Sequence, residues 1–402
     1  MDRANSNASA APRDKTLWAA VLAATLCGVV VSMNIGKLPI ALPQLRQEFG
    51  LSLVAAGWLI ATFNTIAVVA GVVIGIWADR VGALRFCLLG LLASAVGGLI
   101  AIFGNSETSL LVSRAIEGFG FIATGAAAPV LVSVAAAFGQ QRLALGLWSG
   151  YLPAGASLSV LMAPPLVALG GWRSLWWLVI AMLGVATVVL LRQRRSYAAA
   201  TSRRHEGWSD VRHALQKPAP WLLMLAFGCY SLQFFAVVTW LPTFLAERRG
   251  LSPMAIAALS ALCIAVNVPG NFLGGALLHR HFNRGHLIAS VCAIMGLCGL
   301  GIYTDMLPDW PRYLLCLVLT GLGGIIPAAV LSSSSVLAPT PQQIGTLQGL
   351  FIQGSNLGQF VGPPLIASLV AASGHWHSAL GVTLTASALG IVLGMIVGRL
   401  RV

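Results

Sequence analysis

Twelve apolar runs divide the chain, at approximately 17–43, 53–78, 86–104, 109–137, 144–169, 174–191, 221–246, 252–278, 286–303, 313–338, 344–373 and 378–398. Most reach the roughly 20 residues that a helix needs to cross a hydrocarbon core of about 30 Å. A membrane-barrel strand would be about half as long and would alternate polar with apolar, so the runs predict transmembrane helices. Strongly polar residues are shared unevenly among them. Runs 3, 6, 9 and 12 carry no Asn, Gln or charge in their interiors, whereas run 1 has Asn34 and Lys37, run 2 Asn64, and run 4 Arg114 and Glu117. Run 5 offers Tyr151, run 7 Gln233, run 8 Asn267 and Asn271, and run 11 Gln348, Gln353, Asn356 and Gln359. Hydrophilic groups inside a bilayer turn towards the bundle or a water-filled path. Every third run is therefore expected to face lipid.

Composition agrees: of 402 residues 57% are hydrophobic and 9% charged, against roughly a quarter charged in a soluble domain. The net charge of +13 is a topology signal rather than a nucleic-acid footprint. With the N-terminus cytoplasmic, 17 of 24 Lys/Arg fall on the cytoplasmic side, and only Arg46, Arg173, Arg248, Arg249 and Arg312 face outward. That bias sets orientation in a cytoplasmic membrane, with both termini inside. Run 1 is too long for a signal-peptide core and no small-x-small cleavage site follows it. The seven Cys lie in or beside apolar runs without metal spacing and read as packing residues. No phosphate loop, metal cluster or nucleophile–base motif points to an enzyme, a metal or a cofactor.

An internal repeat relates the two halves at a shift of 199–204 residues. Leu42-Pro43, Glu48 and Gly50-Leu51-Ser52 recur as Leu241-Pro242, Glu247 and Gly250-Leu251-Ser252. Gly75-x-x-x-Asp79-Arg80 recurs as Gly275-x-x-x-His279-Arg280, and Pro164-Pro165-Leu166 with Trp172-Arg173-Ser174 as Pro363-Pro364-Leu365 with Trp376-His377-Ser378. The expected organisation is a cytoplasmic tail (1–16), a six-helix bundle (17–191), a cytoplasmic linker (192–220) with an amphipathic segment at Trp208–Lys217, and a second six-helix bundle (221–402). Parallel repeats of this kind suit alternating access around a site near the membrane midplane.

At these residues the chain resembles the major facilitator superfamily. Gly75-x-x-x-Asp79-Arg80-x-Gly82-x-x-Arg85 is similar to its best-known signature and falls in the expected cytoplasmic loop between runs 2 and 3; Arg114-x-x-x-Gly118-x-Gly120 resembles its second. The resemblance implies an all-α membrane fold of twelve helices in two pseudo-symmetric bundles. It also implies a gating role for Gly75, Asp79, Arg80, Gly82, Arg85 and, in the second copy, Arg280. Asp79 would face the start of run 11 near Gln342 and Gln343, a carboxylate at the positive end of a helix dipole. His279 replaces the acid in the second copy, which weakens that latch. The glycine–proline signature of proton-coupled drug exporters is broken in run 5, where Ser159, Ala163, Pro164, Val167 and Ala168 stand. A distant likeness to cyanate and nitroimidazole permeases is noted.

Depths counted from Pro43 and Leu110 at 1.5 Å per residue place Lys37 about 9 Å, Asn34 about 13 Å, Arg114 about 6 Å and Glu117 about 10 Å from one surface. Each pair is three residues apart and shares a helix face. Two readings stand: Arg114 and Glu117 neutralise each other while Lys37 snorkels outward, or two cations and one acid leave a positive cavity for an anion. Glu117 is the one acid well inside a run and is the candidate proton-coupling residue. Lys37, Asn34, Arg114, Asn64, Tyr151, Gln233, Trp240, Asn267, Asn271, Gln353, Asn356 and Gln359 form the candidate substrate set, the last three on one face of run 11 or else holding helices together. The expected function is secondary transport of a small organic or inorganic anion with protons, by a monomer. Export of drug-like compounds and a non-transporting membrane sensor are the alternatives.

Overall fold

The computed structural model describes residues 15–137, 140–198, 216–249, 251–304, 306–338 and 344–400. The tail before residue 15 and most of the linker, including Trp208–Arg212, lie outside them. The first half comprises α1 (Trp18–Phe49), α2 (Leu53–Thr62), α3 (Thr65–Val81), α4 (Ala83–Phe103), α5 (Glu107–Ala135), α6 (Gln141–Ser149) and α7 (Tyr151–Arg192). The second comprises α8 (Pro218–Arg249), α9 (Pro253–Ala265), α10 (Asn267–His279), α11 (Arg284–Tyr303), α12 (Asp309–Gly323), α13 (Ile325–Ser332), α14 (Ser334–Leu337), α15 (Ile344–Ser373) and α16 (Ala379–Arg399).

Among the described residues, nine helical segments are long and apolar enough to cross a membrane, ten if Leu53–Thr62 and Thr65–Gly71, bent by 41°, count as one. Run 5 from Tyr151 onward and run 6 appear as the continuous α7, turned back at Gly170 and at Gly171, whose φ of +67° needs a residue without Cβ. Runs 2, 8 and 10 are each broken. Pro269 does not cause the break in run 8, which falls at Val266. It occupies the first turn of α10, where a missing N–H costs little. The chain's repeated Gly-Leu-Ser has a local reason: Gly50 takes φ +63° to end α1, and the Ser52 hydroxyl accepts the Ala55 N–H to begin α2. Ser252 does the same for α9 through Ala255.

Small residues set the helix contacts, as expected where lipid removes the hydrophobic drive. A Cβ on Gly36 would strike the Ala156 carbonyl, and one on Gly155 the Val29 carbonyl, so α1 and α7 interlock reciprocally. In the second half α8 and α15 do the same through Gly228, Gly354 and Gly358. Gly118 of α5 lies on the Phe63 carbonyl at the α2–α3 break, and Gly270 of α10 lies on the Gly321 carbonyl of α12. The halves therefore repeat one packing scheme. They meet where Gly57 of α2 abuts Pro363 and Pro364 of α15, and where the Ser157 hydroxyl of α7 donates to the Ala261 carbonyl of α9 at 3.3 Å.

Large apolar side chains stand exposed on the polar-poor helices. α4 exposes Leu89, Leu92 and Phe103; α11 exposes Leu297 and Leu300; α16 exposes Leu389 and Val392.

Candidate functional site

Four of the expected residues meet in one cluster. The Lys37 Nζ donates to Asn34 Oδ1 and to Glu117 Oε1, each at 2.6 Å. Arg114 Nη1 reaches Glu117 Oε2 at 2.6 Å and the Asn34 carbonyl at 3.0 Å. Each carboxylate oxygen thus holds one cation, and the cluster carries a net charge of +1. Lys37 and Glu117 are 0% exposed and Arg114 3%. Lys37 therefore does not snorkel. Its ammonium sits 4.2 Å from the Trp176 ring centroid, and the Arg114 guanidinium lies 4.4 Å from that of Phe63. Both cations exchange hydration for a ring face as well as a carboxylate.

The cluster turns away from the other half. Ile35 and Pro39 of α1 face Phe234 and Val238 of α8 in the other half. Lys37 is two residues from each, about 200° round the helix, and so points the opposite way. It points into the first half, where Gly97 and Gly98 of α4 press on Glu117. A net positive but enclosed cluster does not form an open anion pocket. The Nε of Arg114 is buried with no hydrogen-bond partner, so the cluster retains one unmet donor.

The remaining candidates divide. Asn64 sits at the α2–α3 break with its Oδ1 buried and unpartnered. Tyr151 stacks on Trp148 at 4.2 Å and lies against Gly125. Asn267 donates to the Tyr230 hydroxyl and the Thr320 carbonyl, and Asn271 to Asn267, forming a polar node within α8, α10 and α12. Gln233 accepts the Ser387 hydroxyl at 2.8 Å, which turns it towards α16, a lipid-side helix. Trp240 packs on Trp376 and its indole N–H has no partner.

Gln353, Asn356 and Gln359 do not share one face. Gln353 donates across the halves to the Val68 carbonyl, Asn356 bonds its own helix at Ile352, and Gln359 reaches Ser355, itself paired with Ser231 of α8. Two steps of three turn a helix through 600°, so the outer pair diverges by about 120°. Of the gating set, Gly82 ends α3 at φ +90°, and Arg80, Arg85 and Arg280 are exposed. The side chains of Gly75 and Asp79, and residues Gln342 and Gln343, lie outside the described ones.

One arrangement escaped the search for chemistry. Glu48 accepts the Trp172 indole N–H and pairs with Arg173, both at 2.7 Å, tying the α7 turn to the end of α1. The repeat carried the signal, since Glu48 and Trp172-Arg173 both have second copies. Both charges are more than a third exposed, so Glu48→Gln should lower the unfolding free energy of the purified protein by less than about 1 kcal/mol. Thermal unfolding in detergent checks this.

The Major Facilitator Superfamily profile matches residues 24–308, most of the chain, and the chain belongs to that family: it is a multi-pass membrane transporter rather than an enzyme. It is 23% identical to a probable sulfoacetate transporter of Cupriavidus necator, over 85% of this chain and 84% of that one. It is 26% identical to a 2-nitroimidazole transporter of Escherichia coli, over 89% and 90%. In fold it is similar to a bacterial homolog of the human lysosomal transporter Spinster, in an inward-facing and unoccupied conformation. That match has a TM-score of 0.78 at 16% identity, covering 95% of this chain and 97% of that one.

Proposed function

We propose that the chain is a secondary active transporter that carries a small organic or inorganic anion across the cytoplasmic membrane with protons, by alternating access. Twelve crossings follow if α7 counts as two, the bent α2–α3 pair as one, and α15 as one more. The termini are cytoplasmic, and bundles 17–191 and 221–402 rock about the solute as a functional monomer. The Asp79 loop latches the cytoplasmic side.

The observation that carries this reading is the Lys37–Glu117–Arg114 cluster. Each intramembrane charge costs roughly 2.5–3.5 kcal/mol on insertion scales. Three charges that sum to +1 are an expensive way to pack α1 against α5, and their surplus cation attracts an anion through a low-dielectric wall. Protonating Glu117 removes the charge that fixes both cations and frees Lys37 or Arg114 to turn towards the solute as the halves move. Glu117 is thus the coupling residue. Asn64, Tyr151, Gln353 and Asn356 are the polar groups proposed to meet the solute, with Asn34, Gln233, Asn267, Asn271 and Gln359 supporting them. The sulfoacetate relative supports an anionic solute, because sulfoacetate bears a sulfonate and a carboxylate.

A thermal-shift screen of purified protein with sulfoacetate, acetate, benzoate and nitrate at pH 5.5 and 7.5 tests the reading. A specific ligand stabilises by mass action, by about 2.7 kcal/mol at a hundred times its Kd. One anion should raise the transition more at one pH than at the other, and Lys37→Ala should lose the rise. A rise unchanged in Lys37→Ala would place the anion elsewhere.

The 2-nitroimidazole relative supports a second reading, export of drug-like compounds. Growth-inhibition assays with and without the gene separate the two.

A further inference from the structure

Register between the halves exposes an exchange of chemistry. The Leu42-Pro43 and Leu241-Pro242 pairs align Lys37 with Ala236. Counted from the first residues of α5 and α12, Glu107 and Asp309, Arg114 aligns with Cys316 and Glu117 with Leu319. Where the first half packs three charged side chains, the second has Ala, Cys and Leu. The space so released is not closed by its neighbours. A cavity of about 480 Å³ lies within the second half, all its lining residues between 236 and 377, and Ala236 and Cys316 are on its wall. That volume is within the range of roughly 300–1,000 Å³ usual for small-molecule sites.

Its lining is strongly aromatic, with Trp240, Phe244, Tyr313 and Trp376 among the contributors. Trp240 and Trp376 stand 6.0 Å apart and Phe244 and Trp376 6.2 Å apart, centroid to centroid. These rings are in contact with one another, so a planar guest would pack on the faces they turn to the cavity. The Trp240 indole N–H is a second, independent sign. Trp240 is 3% exposed and lines the cavity, yet this donor has no partner. A buried donor left unmet carries a desolvation cost that a guest with an acceptor oxygen would recover. The wall carries Asp309, Arg312 and His377; with histidine counted neutral their formal charges cancel, and that balance favours a neutral guest over an ion.

We propose that this cavity is a second binding site, separate from the Lys37 cluster, for a neutral planar aromatic molecule whose acceptor oxygen takes the Trp240 N–H. It does not depend on the transport reading above.

Equilibrium binding of 7-methoxycoumarin, which is neutral, planar and carries a carbonyl acceptor, tests it on the full chain in lipid nanodiscs, with empty nanodiscs subtracted. Saturable one-to-one binding is expected. Trp240→Phe should weaken it about tenfold. Cys316→Phe and Ala236→Leu, which fill the cavity from different helices, should abolish it. Lys37→Met should leave it unchanged, which separates this site from failure of the anion reading. Two filling variants guard against one that does not fold. Absence of saturable binding to the wild type, or equal binding by a folded filled variant, overturns the proposal. So does full displacement by a short-chain phosphatidylcholine, which would make the cavity an acyl-chain site.

Discussion

Glu117→Gln should destabilise the protein by about 3–5 kcal/mol, the usual cost of removing one partner from a buried ion pair. The cause is specific. Both oxygens of Glu117 are committed, one to Lys37 and one to Arg114, at 2.6 Å each. Without the carboxylate, two cations remain with almost no exposure. The charge-balanced pair Lys37→Met with Glu117→Gln restores the wild-type net charge of the cluster and should recover most of that loss. Detergent-solubilised thermal unfolding of the single and double variants measures both effects. A single variant as stable as the wild type would mean that the cluster is solvated rather than buried.

Gly118→Val should be the other large effect, and it should act through shape alone. A Cβ at Gly118 lands on the Phe63 carbonyl oxygen, backbone against backbone. Neither side has a rotamer to turn aside. Overpacking of a core costs typically 1–3 kcal/mol and more where backbone must move. Here the displaced backbone is also the α2–α3 break that holds Asn64, so the expected result is loss of folded protein from the membrane fraction. Gly184→Val provides the control, because nothing lies within 4 Å of a Cβ there. Size-exclusion profiles of the two variants should differ sharply. Similar profiles would show that the close approach is not required.

Much of this was legible in the sequence, for reasons that differ from residue to residue. Apolar runs separated by polar loops report helices because a bilayer tolerates little else. The cluster of Asn34, Lys37, Arg114 and Glu117 was legible as a common depth, since rise per residue converts sequence position to height. Height is not direction. Nothing in the sequence said that Lys37 would turn towards α5 and α7 rather than α8, because that depends on the rotation of α1 about its axis, set by Gly36 meeting Ala156. The same limit applies to Gln233, whose partner Ser387 lies on a helix that looked entirely apolar when only amides and charges were considered. The spacing of Gln353, Asn356 and Gln359 suggested one face, but drift of the helical repeat sends Gln353 across to α3 while Asn356 and Gln359 bond within their own helix. Glu48 with Arg173 was visible only as a repeated pattern, since a contact 125 residues apart leaves no local trace. The cavity beside Trp240 needed the structure outright. It arises from what is missing at Ala236 and Cys316, and absence of volume has no sequence signature of its own.

The central claim is that the buried carboxylate of Glu117 couples proton movement to that of the solute. The direct measurement is solute accumulation driven by an imposed pH gradient in proteoliposomes containing the Arg114→Met, Glu117→Gln double variant, which keeps Lys37 and the cluster's net charge, with the anion that stabilises the wild type. Accumulation should be lost while downhill exchange of labelled solute persists. Accumulation that still follows the pH gradient as in the wild type would contradict the claim.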